Sequence, residues 1–416
     1  MKIKYLTISK IFVFMILLVQ ARYCYLIKIS LNRRTLMTYL AIGALIFSLG
    51  KIIKIKNFEM IWLFIGSWLM TLFYSIIKYD NSMYEIFMNG FDYLVIVAAI
   101  PIYLISKYEN SIEWIEEPII FIGTIVATLL TVQGLILKPM GISLIDVQFG
   151  TRMGGIRYIN TTEPILFCAV LAFAKLLKKN KKIFDVIRYT FAVLISIVEL
   201  VFISKTRALL LILFISMIVI LWTSKVTSNI KELFRKTFVA ILICVCVVGG
   251  VNTKIADAYF ADYKSTLNTQ YDTVSIRSAE TEYAFETLRE NLVTTLVGTG
   301  FIPERNNTLS FRGSSMKGLR TDLGVVGFIN EFGVLGMLWL VLVIVQATLV
   351  LIRNSKSIEN RANYVGLYSV FILGFPTLFL FNGERMAYFP IWLGIMMYYK
   401  DLNEIKNENG DSVLYG

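Results

Sequence analysis

The amino-acid sequence predicts an all-α polytopic membrane protein of about twelve transmembrane helices, with one large extracytoplasmic loop that holds an amphipathic helix. Three observations carry this expectation. Hydrophobic residues make up 56% of the chain and charged residues only 17%. Apolar runs long enough to cross a hydrocarbon core of roughly 30 Å recur along the whole length. The basic residues behind the net charge of +12 sit mostly in short connectors between those runs, which is the distribution that orients helices in a bilayer and not that of a nucleic-acid-binding face.

Taken in order, the first run follows Lys2, Lys4 and Lys10 and resembles a signal peptide. No small-residue cleavage site follows and the apolar pattern continues through Tyr25, so it reads as a retained first helix. The apolar windows then fall at 8–28, 36–50, 58–77, 91–106, 118–137, 164–178, 188–204, 207–223, 237–251, 323–352, 363–381 and 387–400. The clusters Lys175 to Lys182, Lys225 to Lys236, and Arg353, Lys356 and Arg361 fall on one side of that scheme, the cytoplasmic one, together with both termini. The connector 138–163, the break at Ser204–Arg207, the long loop 252–322 and the turn Asn382-Gly383-Glu384-Arg385 then lie outside. The first hairpin disagrees, because Lys28, Arg33 and Arg34 come out external. The whole chain, 1–416, reads as one integral membrane domain, and Asp401–Gly416 as a polar tail that frays.

The residue inventory narrows the chemistry. There is no histidine, which removes the commonest general base and transition-metal ligand. Cys24, Cys168, Cys244 and Cys246 all lie in apolar runs and indicate neither a disulfide framework nor a metal site. No paired acidic motif for a divalent ion is present, so the expected chemistry is metal-independent and needs no cofactor. Carboxylates, arginine, lysine, tyrosine and hydroxyls remain.

Ionisable residues near span ends need a reason, since a charge in hydrocarbon is costly. In Ser204-Lys205-Thr206-Arg207 a guanidinium at the membrane edge can grip a phosphate through two parallel hydrogen bonds, while snorkelling to headgroups accounts equally for Lys205. Glu199, in the same span, reads as a buried countercharge, and Asp92 as a carboxylate at a helix N-terminus. In the 138–163 connector, Arg152 and Arg157 flank Gly154-Gly155 and can bind a phosphate or a sugar carboxylate; Asn160 to Pro164 is good helix-start chemistry by itself. The stretch Ser275–Gly336 is the richest. From Ile276 to Leu296 the residues Ile276, Ala279, Tyr283, Leu288 and Leu292 recur at three- to five-residue steps, as on an amphipathic helix lying on a membrane surface. Arg277 in its first turn opposes the helix dipole, which favours a role in anion binding. Gly298 and Gly300 end that helix in a tight turn.

The order of these segments resembles the O-antigen and capsule polymerases of the Wzy type, together with the O-antigen ligases that share their fold, over roughly residues 118–352. The likeness rests on Ser204-Lys205-Thr206-Arg207, on Arg277 followed by a helix and Gly298-Thr299-Gly300, on Asp322-Leu323-Gly324 onward to Glu331-Phe332-Gly333-Val334-Leu335-Gly336, and on Arg152-Met153-Gly154-Gly155 to Asn160. The ligases carry a functional histidine nine residues before the glutamate of the closing pattern. Here that place is Asp322, which favours polymerase over ligase.

The resemblance implies glycosyl transfer on the outer face of the plasma (inner) membrane. A growing glycan leaves its polyprenyl diphosphate for a hydroxyl of a lipid-linked repeat unit. Arg207 and Arg277 would steady the departing diphosphate, with Arg152, Arg157, Arg289 and Arg320 as further substrate contacts. Asp322 would take the proton, or cap the helix that follows it. Glu280 stands behind it and is counted with the substrate contacts. Implied partners are the polyprenyl-diphosphate-linked oligosaccharide, the lipid bilayer, and a chain-length regulator and flippase; nucleic acid is not among them. A ligase-like transfer to another acceptor, or a polysaccharide flippase or transporter, remain the alternatives.

Overall fold

In the computed structural model, which describes residues 2–26, 32–48, 58–80, 82–145, 147–152, 155–159, 162–178, 182–223, 273–302, 323–353, 361–376, 381 and 385–411, a helix overlies every apolar window except 237–251, which lies outside the described residues. The helices are α1 Lys2–Gln20, α2 Arg33–Ser48, α3 Glu59–Lys78, α4 Met83–Phe91, α5 Ala99–Glu109, α6 Glu113–Val132, α7 Glu163–Leu176, α8 Ile183–Val198, α9 Arg207–Thr223, α10 Thr273–Leu288, α11 Leu292–Val297, α12 Val325–Arg353, α13 Arg361–Gly374 and α14 Tyr388–Asp411. A tighter helical stretch, Asp92–Ala98, joins α4 to α5 as one rod, and wider π-type turns extend α6 through Leu137 and α8 through Ser204. The exception to helix among the described residues is one antiparallel ribbon, β1 Gln148–Arg152 and β2 Gly155–Ile159.

Five helical stretches are long and apolar enough to cross a membrane by length and composition: Glu59–Lys78, Met83–Glu109, Glu113–Leu137, Ile183–Ser204 and Val325–Ile352. Their surfaces agree. On α12 the exposed side is Leu338, Val341, Leu342, Val345, Leu349 and Ile352, while Trp339, Val343, Ala347 and Val350 are buried. That is one outward and one inward stripe at helical spacing, with the outward stripe apolar. The same holds on α8, where Ile183, Phe184, Ile187, Phe191 and Leu194 face out. Continuous apolar surface of this extent is out of place in water. It is the build of a helical membrane protein.

At one end of the bundle Lys10 meets Glu109 at 2.7 Å, Lys107 meets Asp401 at 2.6 Å and Lys400 meets Glu59 at 3.3 Å. There too lies a buried network in which Lys175, 3% exposed, sits 2.8 Å from the fully buried Glu116, 3.2 Å from Glu113 and 3.3 Å from Glu117. Asn363 of α13 donates to Glu116 at 2.6 Å, and Arg188 and Tyr189 of α8 reach Glu117 at 2.6 and 2.7 Å. Lys175 is therefore no free cation of a connector. It is the centre of a lock that joins α6, α7, α8 and α13, in which each buried charge has an opposite partner.

Two further expectations need correcting at this level. Asp92 does not stand at a helix start, because the rod Met83–Glu109 runs through it; its carboxylate accepts from Thr35 at 3.1 Å and faces Arg34 at 3.5 Å. The pairing gives Arg34 an opposite charge. At the C-terminus α14 continues to Asp411 instead of fraying from Asp401, and the Lys107 and Glu59 contacts hold that turn.

Candidate functional site

At the opposite end of the bundle the loop helices are fastened to the membrane helices by hydroxyl groups and main chain. Helix α10 packs on α12, and its buried face is Glu280, Ala284 and Leu288, spaced four apart. This is not the predicted stripe. Leu292 is largely exposed, and the expected single helix is two, because Asn291 caps α11 by accepting from the Thr294 N–H at 2.8 Å. The helix lies on protein, and a polar residue, Glu280, is part of its buried side.

The segment after α11 is read by one face of α3. Thr71 donates to the Val297 carbonyl at 3.0 Å, Tyr74 meets the Thr294 hydroxyl at 2.5 Å, the Ser75 hydroxyl accepts from the Phe301 N–H at 2.8 Å, and Tyr79 donates to the Thr299 carbonyl at 2.7 Å. Positions 71, 74 and 75 fall on one helical face, and Tyr79 follows at the end of the helix. That stripe of hydroxyls within an apolar span was the available signal, and composition alone hides it.

The other wall is a break in α12. Gly333 adopts φ 64° and ψ −156°, a conformation open only to glycine, inside an otherwise continuous helix. The break releases main-chain acceptors. Thr299 N–H donates to the Asn330 carbonyl at 2.8 Å and Gly300 N–H to the Glu331 carbonyl at 3.2 Å. The Asn330 side chain accepts from the Thr299 hydroxyl at 3.0 Å and donates to the Ala284 carbonyl at 2.7 Å, so one amide ties α10, the turn and α12 together. Gly298, at φ 84°, lies so close that a Cβ built on it would stand 2.6 Å from the Gly333 nitrogen. The Glu331 carboxylate accepts from the Tyr93 hydroxyl at 2.6 Å. Around it Tyr93, Phe301, Phe328, Phe332 and Phe381 interlock, with Tyr93 and Phe332 edge to face at 4.9 Å. The two glycine motifs singled out in the sequence are thus brought into direct contact.

A second group forms around the ribbon. Gln133 directs the chain into it: its amide accepts from Leu144 N–H at 2.7 Å and donates to the Ile142 carbonyl at 2.9 Å. The strand register pairs Gly150 with Arg157 and Arg152 with Gly155, which places positions 152 and 157 on the same face of the ribbon, diagonal to one another. β2 lies against Glu199–Ser204. There Glu199 is buried and accepts from the Ser204 hydroxyl. Lys205 follows with φ 51°, turning the chain into α9, whose first residue is Arg207. Partial burial pushes the Lys205 amine below its ordinary value.

Of the predicted site residues, Arg152, Arg157 and Arg207 are thus brought to neighbouring elements, and Arg277 lies on α10 with the buried Glu280. Arg289 follows α10 and is exposed, its main-chain N–H donating to the Phe285 and Glu286 carbonyls. Asp322 and Arg320 lie outside the described residues. Three residues before α14, Arg385 meets Glu163 of α7 at 3.0 Å, a pair that sequence reading did not foresee. No metal-holding group of acidic or cysteine residues occurs among the described residues. No protein-family model matches the chain, and comparison with curated proteins gives no match.

Proposed function

We propose that the protein is a polysaccharide polymerase, which transfers a growing glycan from polyprenyl diphosphate onto a lipid-linked repeat unit at the outer face of the plasma membrane. The observation that carries this reading is the joining of Gly298-Thr299-Gly300 to Asn330–Gly333, which seats the Arg277-bearing helix over the same bundle end as the ribbon and Arg207. In this reading about twelve spans cross the membrane, residues 252–322 form the large external loop, and the end that carries the Lys175 network faces the cytoplasm.

The chemistry asks little of the protein beyond placing charge. As the bond to the diphosphate breaks, negative charge gathers on its oxygens, and arginines already in position lower the barrier by a few kcal/mol, roughly 10²–10³-fold in rate. Arg207 and Arg277 fill that role, and Arg152 and Arg157 hold the second lipid-linked sugar. A sugar hydroxyl is a weak nucleophile, so a carboxylate that accepts its proton adds about 10²–10⁴-fold; Asp322 is assigned to this step.

Comparison of lipid-linked glycan lengths in cells with and without the gene tests the reading. Loss of long chains, with single repeats still displayed outside, is the expected result. Repeats trapped inside would instead identify a flippase. Arg277→Ala is expected to abolish polymer at unchanged protein level, and wild-type chain length in that variant would remove Arg277 from the site.

A further inference from the structure

The turn that leads from α6 toward the ribbon inverts the usual arrangement of a surface loop. A loop in water exposes polar side chains and leaves much of its main chain to solvent. Here the large side chains that point outward are apolar: Leu135, Ile136, Met140, Ile142 and Leu144, with Met140 67% and Leu144 61% exposed. The polar groups pair with one another instead. The N–H groups of Lys138, Met140, Gly141 and Ile142 donate to the carbonyls of Gln133, Leu137 and Lys138 at 2.9 to 3.1 Å. Those of Leu144 and Ile145 donate to Gln133 Oε1 at 2.7 and 3.3 Å, and the same amide donates to the Ile142 carbonyl at 2.9 Å. Pro139 has no N–H to satisfy, and Gly141, at φ 72°, allows the chain to close on itself. Ile145 and Val147 then return to the core.

Main chain paired internally, beneath side chains that are apolar on the outside, is what irregular backbone requires in a medium that offers no hydrogen bonds. The turn is also continuous with a lipid-facing element. The rod Glu113–Leu137 is long and apolar enough to cross a membrane, turns Phe121 outward, and already includes Leu135 and Ile136. We infer that the turn Lys138–Leu144 is an interfacial anchor that enters the phospholipid leaflet at the ribbon end of the bundle. Its seat is shallow, about 5–10 Å into the boundary between headgroups and acyl chains. Because β1 begins at Gln148, four residues beyond Leu144, the anchor also fixes the start of the ribbon near the level of the lipid phosphates. The inference needs only the membrane build and stands apart from the polymerase reading, in which this leaflet is the outer one.

The test places a reporter in the turn. Met140→Trp and Leu144→Trp are made separately in the full-length protein, held in nanodiscs of phosphatidylcholine and phosphatidylglycerol. The added emission is the difference from the unsubstituted protein, with its six tryptophans, in the same nanodiscs. Acyl chains brominated near the carboxyl end are expected to quench that emission by roughly half or more, and chains brominated near the methyl end to quench it less, as a shallow seat requires. Acrylamide in the water is expected to reach the reporter far less well than it reaches free tryptophan. Full quenching by acrylamide with none by bromine would place the turn in water and overturn the anchor. Quenching by neither would mean that protein covers the turn, a second copy or another part of this chain, and would overturn it equally. Stronger quenching by the methyl-end bromine would put the turn in the membrane core and exclude an interfacial seat.

Discussion

Gly298 and Gly333 meet main chain to main chain, and neither has room for a side chain: a Cβ on Gly298 would stand 2.6 Å from the Gly333 nitrogen, and one on Gly333 would stand 2.5 Å from the Leu296 carbonyl oxygen. Gly333→Ala must also force alanine into a backbone conformation reserved for glycine, at roughly 1–3 kcal/mol before any clash. The expected outcome is detachment of the α10–α11 segment, read as faster protease cleavage within 273–302, together with loss of chain lengthening. Cleavage at the wild-type rate would show that the contact does not hold the segment.

Tyr93 and Glu331 form the polar centre of the aromatic cluster at 2.6 Å. Tyr93→Phe removes the donor and is expected to lower stability by about 1.5–3 kcal/mol, the usual size for a hydrogen bond to a charged group. Pairing it with Glu331→Gln should cost less than the sum of the two single changes, measured by thermal unfolding in detergent. Strict additivity would mean the two side chains are not coupled.

At the other end of the bundle, Lys175→Met leaves the fully buried Glu116 beside two more carboxylates without its cation. A loss of about 3–5 kcal/mol is expected, seen as low membrane levels. Replacing Glu116 as well, with Gln, should recover part of that loss. A double variant no better than Lys175→Met would assign the defect to lost packing instead.

Leu342 belongs to the outward apolar stripe of α12. Leu342→Lys at this central position is expected to disfavour insertion by about 2.5–3.5 kcal/mol, whereas the same change in a soluble protein's exposed residue is nearly neutral. Measured in a membrane-insertion assay, an unchanged inserted fraction would mean that this face does not meet lipid.

What could be read from the sequence follows the range of the forces involved. Helix placement was legible because hydropathy is a local sum: every apolar window within the described residues carries a helix, whereas α10 and α11 lie under no such window. The coupling of Gly298 to Gly333 was legible only as two motifs; nothing local in either states that they touch. The Thr71, Tyr74, Ser75 and Tyr79 face was hidden because four hydroxyls barely alter the mean hydropathy of α3, while their partners lie more than two hundred residues away. Glu163 does open α7 as its sequence predicts, but its ion pair was hidden for a related reason. Its position before Pro164 satisfies the rules of a helix start, and only the tertiary approach of Arg385 shows that its carboxylate is used elsewhere. Lys175 shows the same limit in reverse, since a cation counted by position as a surface marker is almost wholly enclosed.

The turn at Gly298 to Gly300 is held by its own main chain, by Asn330 and Thr299, and by the hydroxyls of Thr71, Ser75 and Tyr79, so the fit fixes the identity of few positions on α10 itself. The exposed flank of α10, with Glu282 and Glu286, is therefore open to replacement without unseating the helix. An engineer could graft a different external surface onto this chain to accept a different sugar, provided the spacing from Asn291 to Gly300 is kept.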